Sequence, residues 1–128
     1  MIPQTYDNDF MVYKSNIYGK FLVSLKHFLK DDIIMDYSIN ATVLEERTIW
    51  TIEKNKGIHL HHEVAKYLLH DHVNPTLRPN KHESLMIANV EIQKGDILSF
   101  DYNLTESEFV NDPKTFYKPV PKNITDLQ

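Results

Sequence analysis

The chain contains no cysteine. That absence removes disulfides, thiolate zinc sites and cysteine nucleophiles together, and it fits a cytoplasmic protein, or a nuclear one in a eukaryote. No apolar run reaches membrane-spanning length, and no basic-then-apolar leader opens the sequence, so no membrane partner is expected. There is no basic run and no low-complexity tract. Acidic residues outnumber basic ones, 18 against 14, for a net charge of −4. This disfavours general nucleic-acid binding and is compatible with a basic peptide substrate.

What is present describes one packed domain. The 128 residues are 41% hydrophobic and 11% aromatic, enough for a sizeable core and unlike a disordered chain. Residues 1–9 are polar and read as a loose arm. Short strands are expected at Phe10–Tyr13, from Lys20 towards Phe28, and at Ile33–Tyr37. Further strands are expected at Thr42–Leu44, Thr48–Ile52 and Ile58–His62. Trp50 is most simply a core or half-core residue. Glu63 to His70 has helical spacing, with Val64, Tyr67 and Leu68 on one stripe. Many short strands separated by turns, with one short helix, argue a mostly-β fold.

The stretch from Ser84 to Glu106 organises the rest. It reads as strand, turn, strand and short helix start. Lys94-Gly95-Asp96 is turn chemistry, with Gly95 free to take a positive φ. Ile97, Leu98 and Phe100 then lead to Asp101-Tyr102, a tyrosine at the end of a buried strand. Taken alone, Tyr102 is a core tyrosine with its hydroxyl at the surface.

In register, Ala88 to Asn103 resembles the closing signature of SET domains, the protein-lysine methyltransferases, A-x-x-x-I-x-x-G-(D/E)-x-L-x-F-D-Y-N. The following Thr105-Glu106 resembles the small, single-domain branch of that family. Gly19-Lys20-Phe21 falls where the family has G-x-G, with Phe28 and Ile34 at its apolar positions and Ser24 at its small one. Phe21 stands for the second glycine and Asp31 for a later one. His70 to Thr76 takes the place of the N-H-S-C-x-P-N loop, but only Pro75 matches; His70 stands for Asn and Asp71 for His.

The resemblance implies a SET fold: several short β-sheets, few short helices and a C-terminal pseudoknot. It implies a domain over residues 10–117 with a remnant lid, then a flexible tail over 118–128. It also implies S-adenosyl-L-methionine as cofactor and a protein or peptide lysine as substrate. Tyr102 would be catalytic. Gly19, Lys20, Phe21, His70 and Asp71 would line the cofactor pocket, with Phe116 or Tyr117 stacking on adenine. Anchoring of the tail is the plain alternative for those two rings. Tyr37, Tyr67 and Phe100 would wall the lysine channel. A domain this small could complete its groove in a homodimer.

Two other readings stay open. The altered G-x-G and N-H-S-C positions fit a non-catalytic SET-like interaction module. His59, His61, His62, His70 and His72, with Glu63 and Asp71, supply donors for a cupin-like metal site. Glu63 follows His61 too closely for the usual cupin carboxylate, and no metal ligand is assigned.

Overall fold

The computed structural model describes residues 4–6, 8–107 and 120–127. Among the described residues, eleven short strands make four small sheets. In the first, β1 (Gln4–Tyr6), β2 (Phe10–Ser15) and β3 (Gly19–Ser24) run antiparallel in that order. The arm read as loose therefore carries an edge strand. β4 (Ile33–Asp36), β9 (Leu77–Asn80) and β10 (Leu85–Ala88) form the second, with β10 central. β9 tolerates Pro79 because it lies at a sheet edge, where a missing amide breaks no ladder. β5 (Thr42–Leu44), β6 (Ile52–Asn55) and β7 (Ile58–His61) form the third, with β7 central. β8 (Leu69–His70) and β11 (Ser99–Phe100) pair in parallel.

Two expected elements differ. Glu63 to His70 gives a single 3-10 turn, Ala65–Tyr67, and then β8. The Nδ1 of His62 accepts from the amides of Val64 and Ala65 at 3.1 and 3.0 Å. Beyond the turn, the Leu69 amide donates to Leu98 and the Asp71 amide to Phe100. Those tertiary partners replace the i−4 carbonyls a helix needs. Of the strand expected over Thr48–Ile52, residues 48–51 are a turn held by the Thr51 hydroxyl on Thr48, and β6 starts at Ile52; Trp50 is 46% exposed, the half-core alternative and not the core one.

The imperfect alternation of β3 has a plain cause. Phe21 to Ser24 are all buried, because the strand packs on both faces. Leu22 enters the main core with Val12, Tyr37, Leu77, Met86, Ile92 and Leu98. Phe21 and Val23 join Ile97 in a second core, covered by Tyr13, Tyr18, Val120, Ile124 and Leu127. Burying each such side chain stabilises by roughly 1.5–3 kcal/mol. The stretch Val120–Leu127 is thus packed on the domain, where the sequence suggested a loose tail.

Residues 97–100 cross the molecule with partners on both sides. Ile97 bridges Val23, and the Leu98 amide donates to Leu22 at 2.9 Å. On the other side lies β8, and the Ser99 amide donates to the Thr76 hydroxyl at 3.0 Å. The loop from 71 to 76 is thereby bound across this segment, in the crossing expected of the pseudoknot. Gly95 opens the segment at φ +90. Its carbonyl accepts from Ile124 at 2.9 Å, and buried Asp96 accepts from Lys122 and Asn123 at 2.7 and 2.9 Å.

A Cβ at Gly95 would lie 3.0 Å from the Asn123 side chain, which is itself fixed by Asp96 and Thr125. Gly95→Ala is expected to destabilise the fold by about 2–3 kcal/mol, through φ strain and the clash together. Gly57→Ala, at φ +81 in open space, should lose only about 1 kcal/mol. Urea unfolding of both variants checks the ranking; equal losses would remove the tail contact as the cause.

Candidate active site

Parallel pairing of β8 with β11 sets Phe100 opposite His70. The chain then turns through Tyr102–Leu104, a single 3-10 turn capped by the Asp101 carboxylate, which accepts from the Asn103 amide at 2.9 Å. The Tyr102 amide donates to Nδ1 of His70 at 3.0 Å, so that nitrogen carries no proton. The His70 ring lies 4.9 Å from the Tyr102 ring and 5.6 Å from His72, centroid to centroid. Phe100 also packs on Tyr102, with ring centroids 4.8 Å apart. The Tyr102 hydroxyl donates to the Leu68 carbonyl.

The Tyr102 ring is half-buried, whereas its hydroxyl lies deep. Burial, with the Glu106 charge adding to it, holds the phenol well above the usual tyrosine range. It stays protonated at physiological pH, and with its one proton given to Leu68 it can act on a ligand as an acceptor and positioner, not as a base.

Tyr102 and Phe100 line a cavity of about 310 Å³ with Leu68, Ile52 and Trp50, and its charged lining is Glu106, Arg47 and Lys66. The turn over 47–51 supplies its rim. Glu106 is held rigidly: one carboxylate oxygen accepts from the Glu53 amide at 2.9 Å and from the Thr105 hydroxyl at 2.8 Å. Its other oxygen, Oε1, is buried and has no hydrogen-bond partner among the described residues. The sequence reading missed Trp50 as a wall and gave Glu106 no role. The only signal for the latter was its place just after Asp-Tyr-Asn.

The remaining expected site residues divide. Gly19 opens β3 at φ +67, with open space where a Cβ would sit, and Lys20 is exposed. Phe21 does not take a left-handed φ, and its fully buried ring lies 6.2 Å from Tyr13 and 6.4 Å from Tyr18. Asp31, in place of the later glycine, keeps φ +76. Asp71 is 1% exposed and caps its own loop, accepting from Val73 and Asn74 at 2.9 Å each. None of these residues lines the Tyr102 cavity. Tyr37 and Tyr67, expected as channel walls, do not line it either. Tyr37 is fully buried in the main core, its phenol pushed up to about 12 chiefly by burial. Tyr67 is buried under the Lys66 ammonium, 5.1 Å from its ring. Phe116 and Tyr117 lie outside the described residues.

Apart from the stacked His70 and His72, the histidines named in the sequence do not form one cluster. His59 and His61 sit on β7, while the Nδ1 of His62 is taken by backbone amides. Among the described residues no group of three His, Cys, Asp or Glu side chains could hold a metal ion.

No protein-family model matches the chain, and no curated protein matches it in sequence. Among solved structures, it resembles a Plasmodium falciparum protein described as a candidate histone methyltransferase, with a TM-score of 0.54 at 19% identity. The match covers 83% of this chain and 100% of that one. The fold is of the SET type. That likeness concerns the fold: mostly β, in several small sheets around the 97–100 crossing. Among the described residues no helix is long and apolar enough to cross a membrane.

His62 and His70 both sit below the ordinary imidazole range, chiefly because burial disfavours their charged forms, and each accepts from backbone amides through Nδ1. The unfolded chain therefore binds more protons as pH drops below about 6.5. Stability should be fully present above that pH and decline as pH falls through the lower folded values. A second decline belongs below about pH 4. Asp36 is held low by Ser38. For Glu53, burial is outweighed by Lys81 and Ser107 together. Urea midpoints measured from pH 8 to 3 check this; a flat profile between pH 7 and 5 would contradict the histidine assignment.

Proposed function

We propose that the chain is an S-adenosyl-L-methionine-dependent protein-lysine N-methyltransferase. The observation that carries this reading is the Tyr102 hydroxyl, fixed at the wall of an apolar and aromatic cavity on a SET-type fold. Methyl transfer from a sulfonium to an amine needs an uncharged amine held in line with the methyl group. Leu68, Phe100, Trp50 and Ile52 strip water from an entering lysine, which lowers its affinity for a proton. The Tyr102 hydroxyl, aligned by Leu68, His70 and Phe100, orients the amine.

The residues present are compatible with the cofactor. Gly19 leaves its backbone open to close approach. Phe21 does not fill that turn, because its ring is in the second core. Gly19, Lys20 and His70 are the residues that would hold the cofactor, which supplies the electrophilic methyl group when bound. Asp71 would contribute only through its backbone, since its carboxylate is committed to the 71–76 loop. That commitment favours the second reading, a non-catalytic SET-type interaction module.

Calorimetric titration with S-adenosylmethionine and S-adenosylhomocysteine separates the two, with micromolar binding expected. No binding at millimolar cofactor by folded protein would leave the interaction module. Tyr102→Phe should fold, losing about 1 kcal/mol with the bond to Leu68, and should lose at least about 100-fold in methylation of a lysine peptide. Full activity in that variant would rule out the role given to Tyr102.

A further inference from the structure

Tyr102 is held from one short stretch of chain by two different kinds of acceptor. Its hydroxyl donates to the Leu68 carbonyl, and its amide donates to Nδ1 of His70 at 3.0 Å. The carbonyl does not titrate, whereas an imidazole nitrogen does. With a donor opposite Nδ1, the neutral ring must carry its proton on Nε2. A second proton then has one place to go, the Nδ1 lone pair that the Tyr102 amide occupies. Two N–H groups would face each other at that distance, so the bond would be lost and not merely weakened. The ring also packs on the tyrosine, with centroids 4.9 Å apart, so a change at His70 reaches both the main chain and the side chain of Tyr102.

From this we infer that His70 is a positioning residue that holds Tyr102 only while its ring is neutral, and that protonation of Nδ1 releases the tyrosine. The charged and titratable groups that face the ring are Asp101 and the Tyr102 phenol from the turn after β11, and Asp71 and His72 from the loop after β8. β11 itself brings Ser99 and Phe100, which carry no charge. Burial disfavours the charged ring most, Asp101 and Asp71 favour it, and His72 opposes it. The phenol stays uncharged throughout this range. Burial prevails, so Tyr102 is held at physiological pH and its release falls on the acid side of about pH 6.5. A charge on His70 is also drawn to the Asp101 carboxylate, which caps the Tyr102 turn by accepting from the Asn103 amide at 2.9 Å. The ring would thus disturb the cap as it loses the amide. For methyl transfer, a consequence that rests on the role proposed above for Tyr102, acid would misplace the hydroxyl before the fold is lost.

Nuclear magnetic resonance of isotope-labelled wild-type protein tests this without a substrate and without a variant. At about pH 8, Nδ1 of His70 should give the signal of an unprotonated ring nitrogen, with a through-bond coupling to the Tyr102 amide nitrogen across the hydrogen bond. On acidification to about pH 5 the coupling should vanish. The Tyr102 amide and ring signals should shift with the same midpoint as His70, while those of Phe21 and Val23 in the second core stay in place. A protonated Nδ1 at the higher pH would overturn the inference. So would Tyr102 signals that hold still while His70 titrates, or loss of the whole folded spectrum at the His70 midpoint. His70→Asn offers an acceptor that does not titrate. In that variant, folded, the Tyr102 signals should be constant over the same range; a surviving titration would belong to another group and would also overturn the inference. Matched titration of His70 and Tyr102, in protein that transfers no methyl group from S-adenosylmethionine to a lysine peptide, would uphold the inference while removing the methyltransferase reading.

Discussion

The crossing of residues 97–100 between β3 and β8 is the constraint on which the rest depends. A segment hydrogen-bonded on both flanks has little freedom to shift register, because a one-residue slip would turn every side chain to the opposite face. Ile97 would leave the second core and Leu98 the main one. The same bonds decide what precedes the crossing. Leu69 and Asp71 give their amides to Leu98 and Phe100, and a helix over 63–70 is lost in consequence.

The second core follows from that crossing. Phe21, Val23 and Ile97 make a face that would lie open to water if the chain ended at the site. Val120, Ile124 and Leu127 cover it, and polar contacts around Asp96 and Asn123 hold the cover in place. Hydrophobic burial supplies the driving force there, while the hydrogen bonds fix the position. The turn at Gly95 joins both, since its backbone bonds to Ser24 on one side and Ile124 on the other.

The site gathers opposing demands into a small volume. On the reading proposed above, a substrate amine is a cation in water and must react uncharged. Apolar walls favour the uncharged form, whereas a buried carboxylate favours the charged one. The structure places both in one cavity, with Glu106 and Tyr102 a single turn apart.

The sequence by itself determined the local chemistry. Gly95 marked a turn needing positive φ, the apolar run Ile97 to Phe100 marked a buried strand, and Asp101-Tyr102-Asn103 marked its end. Composition and turn spacing gave a mostly-β domain. Each of these rests on neighbours along the chain, which a sequence displays directly. Only the tertiary structure decided what depends on distant partners. Helical spacing over 63–70 gave way to β8, because amides there find carbonyls about thirty residues away. Trp50, core or half-core by sequence, became a half-exposed cavity wall, and Tyr37 and Tyr67 were buried away from it. Phe21 turned into a second core that the sequence did not suggest, because residues 120–127 close over it. Glu106 became a cavity-lining residue only through folding, which sets residues 47–52 beside it. Periodicity records which residues avoid water, but not which groups meet once water is gone.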